Sequence, residues 1–278
     1  MPLMRPQDYP PQDPVSEFAQ AYTDDLINRI DRNAGDNCFY GDDPYQSIAL
    51  FRPARPNGTI FAFMHGGGWT NGYKEMMGFM APSFTMHGIL FASIGYRLAP
   101  MHCWPACFED GAKAVAWLVK HAAENGADAS RIFIGGRSAG GHLSSLLAVR
   151  RDWQGRNALR EDVLRGCIAI SGVYFFGKDS GFKNQPRFLG PVEQQNEIPA
   201  SPLLNIQGKP PPFFMAWGEK DFPHLIGQAA DMAAELRAAG GHVETMMLPG
   251  CDHLGTGVPT ADPQSPWTAR ALAFIAAH

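Results

Sequence analysis

Arg131-Ile132-Phe133-Ile134-Gly135-Gly136-Arg137-Ser138-Ala139-Gly140-Gly141-His142-Leu143-Ser144-Ser145-Leu146 is the stretch on which the reading of this chain turns. Arg131–Gly135 has the β-branched and aromatic content of a short buried strand. His142-Leu143-Ser144-Ser145-Leu146 opens a helix. Between them stands Gly136-Arg137-Ser138-Ala139-Gly140. Glycines two before and two after the serine let the chain turn sharply without side-chain clash, so the hydroxyl projects at the strand's carboxyl end. The following helix aims its N-terminal amides at the same point, where negative charge would develop. G-x-S-x-G alone is a weak pattern; in this strand–turn–helix setting Ser138 reads as a nucleophile.

A nucleophilic serine needs an oxyanion hole, and His65-Gly66-Gly67-Gly68-Trp69 directly follows a second apolar run, Thr59–Met64. Three glycines expose backbone N–H groups with no side chains in the way. Gly67 and Gly68 are the expected donors, completed by the N–H of Ala139, with Gly66 shaping the loop. His65 is expected to hydrogen-bond this loop in place rather than act as a base. No G-x-G-x-x-G opens a helix here, which argues against dinucleotide binding.

The acid and base should come later in the chain, in the order Ser, Asp/Glu, His. After the run Phe213–Trp217 comes Gly218-Glu219-Lys220-Asp221, and Asp221 is preferred to Glu219 as the acid. After Val243–Leu248 comes Pro249-Gly250-Cys251-Asp252-His253, which makes His253 the base. Of the nine histidines, His253 stands on the loop after the last strand and His278 is the terminus; His102 and His142 could face the cleft, but neither follows the last strand. Asp252 is read as a solvated or turn-capping group. No metal ligand set and no organic cofactor are indicated.

Working outward, short runs at Ser47–Phe51, Ile89–Ile94 and Cys167–Ser171 join those above as strands, several apolar throughout as strands covered on both faces are. Helical patterns separate them: one beginning near Pro105, one through Leu225, Ala229, Met232 and Leu236, and a last from about Pro266. Strands alternating with helices indicate an α/β fold, a mainly parallel sheet with helices on both faces. The 278 residues suit a single domain, 1–278. Five prolines make residues 1–14 an extended arm, and Phe18, Tyr22, Leu26 and Ile30 recur at helical spacing, so 1–38 is expected to form an arm and helix, a small N-terminal cap. Tyr174–Asn205, irregular and rich in Gly, Pro and Gln, is expected to be a lid or substrate loop. Trp69, Tyr73, Phe175, Phe176 and Phe182, on the glycine loop and in this segment, are candidates for lining a pocket suited to a compact apolar or aromatic substrate.

Hydrophobic residues make up 45%, charged residues 18%, and the formal net charge is −4. With no Lys/Arg run, nucleic acid is not an expected partner. Apolar stretches are strand-sized, far short of the roughly 20 residues of a membrane span, and MPLMRPQDYPPQDP reads as no signal peptide. Five cysteines without a framework spacing suggest reduced thiols and a cytoplasmic location. The oligomeric state is open, with a homodimer allowed.

HGGGW at 65–69, GYRLAP at 95–100 and GRSAGGHL at 136–143 resemble the hormone-sensitive-lipase-like and arylformamidase-like branches of the α/β-hydrolases. ASPLL at 200–204, PPFFMAWGEKD at 211–221 and PGCDH at 249–253 fit the same pattern, so the likeness covers roughly 40–278. FYGDDPYQSIALFRP at 39–53 is similar to the opening strands of kynurenine-formamidase-like and feruloyl-esterase-like enzymes. The resemblance implies the α/β-hydrolase fold and hydrolysis of small carboxylic esters, with arylformamidase or other amide cleavage as the alternative and a non-catalytic ligand-binding descendant as a third reading. The family usually has an acidic or small residue, or a His, before the nucleophile; here it is Arg137. Its cation is expected to be held in a salt bridge, the other readings being an anionic substrate or a perturbed Ser138.

Overall fold

The computed structural model describes residues 1–278, the side chain of Phe18 excepted. One sheet contains β1 (Asp36–Phe39), β2 (Ser47–Phe51), β3 (Gly58–Met64), β4 (Leu90–Ile94), β5 (Ala127–Arg137), β6 (Leu164–Ile170), β7 (Phe213–Lys220) and β8 (Val243–Asp252). Across it the order is β1-β2-β4-β3-β5-β6-β7-β8. Pairing is antiparallel at β1/β2 and β2/β4 and parallel from β4 to β8. The helices are α1 (Glu17–Asn28), α2 (Ala81–Thr85), α3 (Ala106–His121), α4 (Ala139–Val149), α5 (Glu197–Ala200), α6 (Pro223–Ala238), α7 (Gly257–Ala261) and α8 (Pro266–Ala277).

The unbroken apolar character of the central strands has a direct cause. In β3, Ile60, Ala62 and Met64 enter one core with Val115 and Leu118 of α3, Leu143 and Leu147 of α4, and Met232 and Leu236 of α6. Phe61 and Phe63 point the other way, into a core shared with Leu26 of α1, Phe84 of α2, and Trp267 and Phe274 of α8. That second layer is aromatic, with Phe61 and Phe84 ring centroids 4.7 Å apart. Helices therefore cover both faces, and no strand residue between them can be polar without a partner.

Several strand boundaries differ from expectation: β5 begins at Ala127 and β6 at Leu164, each earlier than the apolar runs suggested. Residues 36–38, assigned above to the N-terminal arm and helix, belong to β1, an edge strand too short and too polar (Asp36, Asn37) to show a pattern. β7 and β8 run on through Gly218–Lys220 and Pro249–Asp252, where glycine and proline suggest loop, because each strand finds its pairing partner in the other. The arm has a single short turn at Pro6–Asp8 and then follows the loop after β3: the Gln12 amide accepts from Gly72 N–H at 2.8 Å and donates to Gly72 O at 2.9 Å, and Asn71 Nδ2 donates to Asp13 O at 2.6 Å. In α1, the side chain of Phe18 lies outside the described residues. Segment 174–205 holds α5 and three single turns. It is pinned at its start by Gln228 of α6, whose Oε1 accepts from the N–H groups of Tyr174 and Phe175 and whose Nε2 donates to the carbonyls of Phe175 and Ser180. Among the described residues no helix is long and apolar enough to cross a membrane.

Candidate active site

Sheet register assembles the site. Met64 at the end of β3 pairs with Gly136, and Arg137 at the end of β5 pairs with Ile170, so the glycine loop and Ser138 leave the sheet side by side. At the other flank Lys220 pairs with Asp252. Asp221 and His253 are the next residues on these neighbouring strands, and their meeting follows from that register.

Ser138 has φ 54° and ψ −118°, a sparsely populated conformation for a residue with a Cβ and the kind of strain found where geometry serves chemistry. His253 Nε2 lies 2.9 Å from Ser138 Oγ, and His253 Nδ1 lies 2.8 Å from Asp221 Oδ1. Asp221 Oδ1 also accepts the Phe222 N–H at 2.8 Å. Burial pushes the Asp221 carboxyl up, but the hydrogen bond and charge of His253, joined by the Ser171 hydroxyl and the Phe222 N–H, outweigh it and hold the group below its ordinary 3.8. The three residues expected to act together are thus in contact. Glu219, the rival acid, instead accepts the Gly250 N–H at 2.7 Å. Asp252 caps the turn after it by accepting the Gly255 N–H at 2.7 Å.

The glycine loop folds back against the nucleophile: a Cβ at Gly66 would stand 3.2 Å from Ser138 Cβ. Gly67 has φ +122°, and a Cβ there would meet Asn71 O at 2.0 Å, so only glycine fits. Thr70 and Asn71 N–H both close onto Gly67 O. The N–H groups of Gly67 and Gly68 take no acceptor among the described residues, and Ala139 N–H stands at the N-terminus of α4, where no turn precedes it.

Two histidines brace this region from behind. His65 Nδ1 donates to Gly66 O at 2.7 Å and its ring stacks on Tyr96 at 4.3 Å. His142 does not face the cleft: its Nδ1 accepts the Trp69 indole N–H at 3.0 Å and its Nε2 donates to Ala200 O at 2.7 Å. Burial, opposed only by these backbone bonds, lowers both imidazoles from 6.5 to about 4. Unfolding therefore takes up protons at any pH between those values, so the stability held by the neutral rings is complete above 6.5 and drains away as pH falls toward 4. Urea unfolding should show a loss of about 2 kcal/mol per histidine between pH 7 and pH 5, reduced by half in His142→Gln; an unfolding free energy flat over that range would contradict it.

Of the pocket candidates, Trp69 (4% exposed) and Phe176 (6% exposed) are buried in the core. Trp69 stacks on Phe188 at 4.1 Å and meets Phe176 edge-on at 5.5 Å. Tyr73, Phe175 and Phe182 keep part of their surface open. Phe182 packs against His224 at 5.2 Å, His224 on Phe222 at 5.8 Å, and Phe222 on the His253 ring at 5.0 Å, a line of rings ending at the imidazole. Phe222, 52% exposed beside His253, escaped sequence reading, although its place directly after Asp221 is a usable signal.

Arg137 is not in a salt bridge. Its guanidinium donates to Thr256 Oγ1, Tyr22 OH and the carbonyls of His253 and Leu254, because the loop packed over it presents main-chain oxygens where a carboxylate was expected. For metal, the described residues bring His242, Glu244 and His278 within 4.8 Å of one another. Glu244 is there paired with Arg270 at 2.7 Å, and the group lies at the opposite end of β8 from His253, about 30 Å away along the strand.

A parallel sheet with this elbow, glycine loop and Ser–His–Asp contact defines one class. The chain belongs to the α/β-hydrolase fold family, whose model matches residues 61–255. Esterase LipC of Mycobacterium tuberculosis is 31% identical over 234 residues, covering 77% of this chain and 58% of LipC. An ethyl acetate hydrolase of Pseudomonas putida is 28% identical over 239 residues, 77% of this chain and 74% of that protein. The chain thus spans little more than half the length of LipC. A truncated carbohydrate esterase from gut microbiota matches with TM-score 0.74 at 17% identity, over 88% of this chain and 97% of that one, a likeness of fold.

Proposed function

We propose that this chain hydrolyses small carboxylic esters through an acyl-enzyme on Ser138. The observation that carries the reading is the unbroken contact from Ser138 Oγ through His253 to Asp221 Oδ1, at 2.9 and 2.8 Å. His253 Nε2 takes the Ser138 proton as Oγ attacks the ester carbonyl, and the carbonyl π electrons move to oxygen. The N–H groups of Gly67, Gly68 and Ala139 receive that oxyanion. Asp221 holds the tautomer with Nδ1 protonated and stabilises the imidazolium. Collapse of the tetrahedral species expels the alkoxide, which takes the proton from His253. Water, deprotonated by the same imidazole, then releases the acid and restores Ser138. No step in this sequence calls for a metal or organic cofactor.

Ester is preferred to amide because the relatives named above carry ester hydrolase names, whereas the triad chemistry itself serves both. Tyr73, Phe175, Phe182 and Phe222 suit a small apolar or aromatic substrate at the site. The test is turnover of p-nitrophenyl acetate, p-nitrophenyl octanoate and N-formylkynurenine, together with mass analysis after a fluorophosphonate. Ester turnover should vanish in step with one adduct per chain on the peptide holding Ser138. Turnover of N-formylkynurenine alone would overturn the ester reading; an absent or misplaced adduct would overturn the nucleophile.

A further inference from the structure

Arg137 is 5% exposed and all its hydrogen-bond partners are neutral. A guanidinium is kept inside a protein at a steep desolvation cost, and it stays only where its donors are met. Here Nε donates to Thr256 Oγ1 at 3.1 Å, Nη1 to Tyr22 OH at 3.1 Å, and Nη2 to His253 O at 2.8 Å and Leu254 O at 3.2 Å. Thr256 Oγ1 also donates to His253 O, at 2.9 Å. The main-chain oxygen of the base is therefore held twice, once directly and once through a residue that Arg137 itself holds.

That loop needs holding. His253 sits between Gly250, at φ +71°, and Gly255, and beyond the β7/β8 pairing the backbone has no ladder to fix it. Arg137 is the neighbour of Ser138 and the last residue of β5, where it pairs with Ile170 of β6. Bonds from its guanidinium to the 253 and 254 carbonyls thus tie base to nucleophile across one residue of chain, and Tyr22 ties α1 to the same group, its ring lying 5.6 Å from the guanidinium carbon. Contact with an anionic substrate does not fit, since the planar head is enclosed by protein and four of its five N–H donors are taken.

We infer that Arg137 is a positioning residue that sets the Ser138–His253 distance by clamping the main chain of the base loop. This rests on the proposed roles of Ser138 and His253, so Ser138→Ala is run beside every variant. Displacing a reacting group by about an ångström costs up to 100-fold; Arg137→Ala should therefore lower kcat by about 10- to 100-fold with KM within about threefold, and guanidinium ion at millimolar, non-denaturing concentration should restore part of the loss. Arg137→Lys, which keeps the charge but not the fork, should fall between, and Thr256→Ala should shift kcat in the same direction by less. If Arg137→Ala does not fold, the lysine and Thr256 variants carry the test. A rise in KM with kcat intact, unchanged kcat in folded variants, or a loss that follows only the folded fraction without guanidinium recovery would overturn the clamp. Activity surviving in Ser138→Ala would overturn the site reading instead, whatever Arg137 does.

Discussion

Ser138→Ala is expected to lower kcat/KM for p-nitrophenyl acetate by a thousandfold or more while leaving the fold intact. The two halves of that expectation have separate causes. Alanine keeps the Cβ, so the strained backbone at φ 54° is neither relieved nor worsened, and the Ser138 N–H still bonds Ile170 O at 2.9 Å. What is lost is the one oxygen that His253 Nε2 contacts, and with it the covalent route. The remaining activity should not reach zero, because donors aimed at an oxyanion still favour attack by water. Circular dichroism and the urea midpoint should therefore match wild type while turnover collapses. A mutant retaining more than about a tenth of wild-type turnover would show that ester cleavage by this chain does not pass through Ser138.

The residues that were legible in the sequence share a trait: each sits at a point where backbone geometry leaves a mark in residue type. Glycines flank Ser138 because the elbow has no room for a Cβ, and Gly67 and Gly68 follow β3 because the loop turns through positive φ there. Asp221 and His253 could be placed because each follows an apolar run and the strand end fixes where the next residue goes. What stayed hidden depends on partners distant in the chain. Gln12 meets Gly72 and Arg137 meets Tyr22 and the 253–254 carbonyls, yet a main-chain oxygen leaves no trace in the sequence of the residue that owns it. The same limit explains why Arg137 suggested a carboxylate: charge predicts a counter-charge, and only packing reveals a carbonyl. β1 was missed for a different reason, since an edge strand of four residues has one covered side and little burial to record.

Gly140→Ala should be among the most damaging single methyl additions near the site. A Cβ there would stand 2.0 Å from Met64 O and 2.6 Å from His65 O, both backbone atoms at the end of β3. Neither oxygen sits on a side chain that can rotate away, so relief requires α4 and β3 to part by an ångström or more. The consequence is double. Overpacking a rigid core junction costs about 3 kcal/mol or more in unfolding free energy. In the fraction that folds, the loop carrying Gly67 and Gly68 starts from the displaced end of β3 while Ala139 moves with α4, so the three N–H groups proposed to receive the oxyanion are drawn apart. Loss of one such donor is worth roughly 100- to 1,000-fold in kcat, and a comparable fall in kcat is expected here beyond the loss of folded protein. Gly227 on α6 provides the contrast, since a Cβ at that position meets nothing within 4 Å. Gly227→Ala should raise stability by about 0.5 to 1 kcal/mol and leave kcat unchanged, through helix propensity alone. Urea unfolding of both variants, with kcat corrected for the folded fraction, checks the pair. If Gly140→Ala were as stable and as active as Gly227→Ala, the close approach of α4 to β3 that seats the glycine loop against Ser138 could not be a requirement of the site.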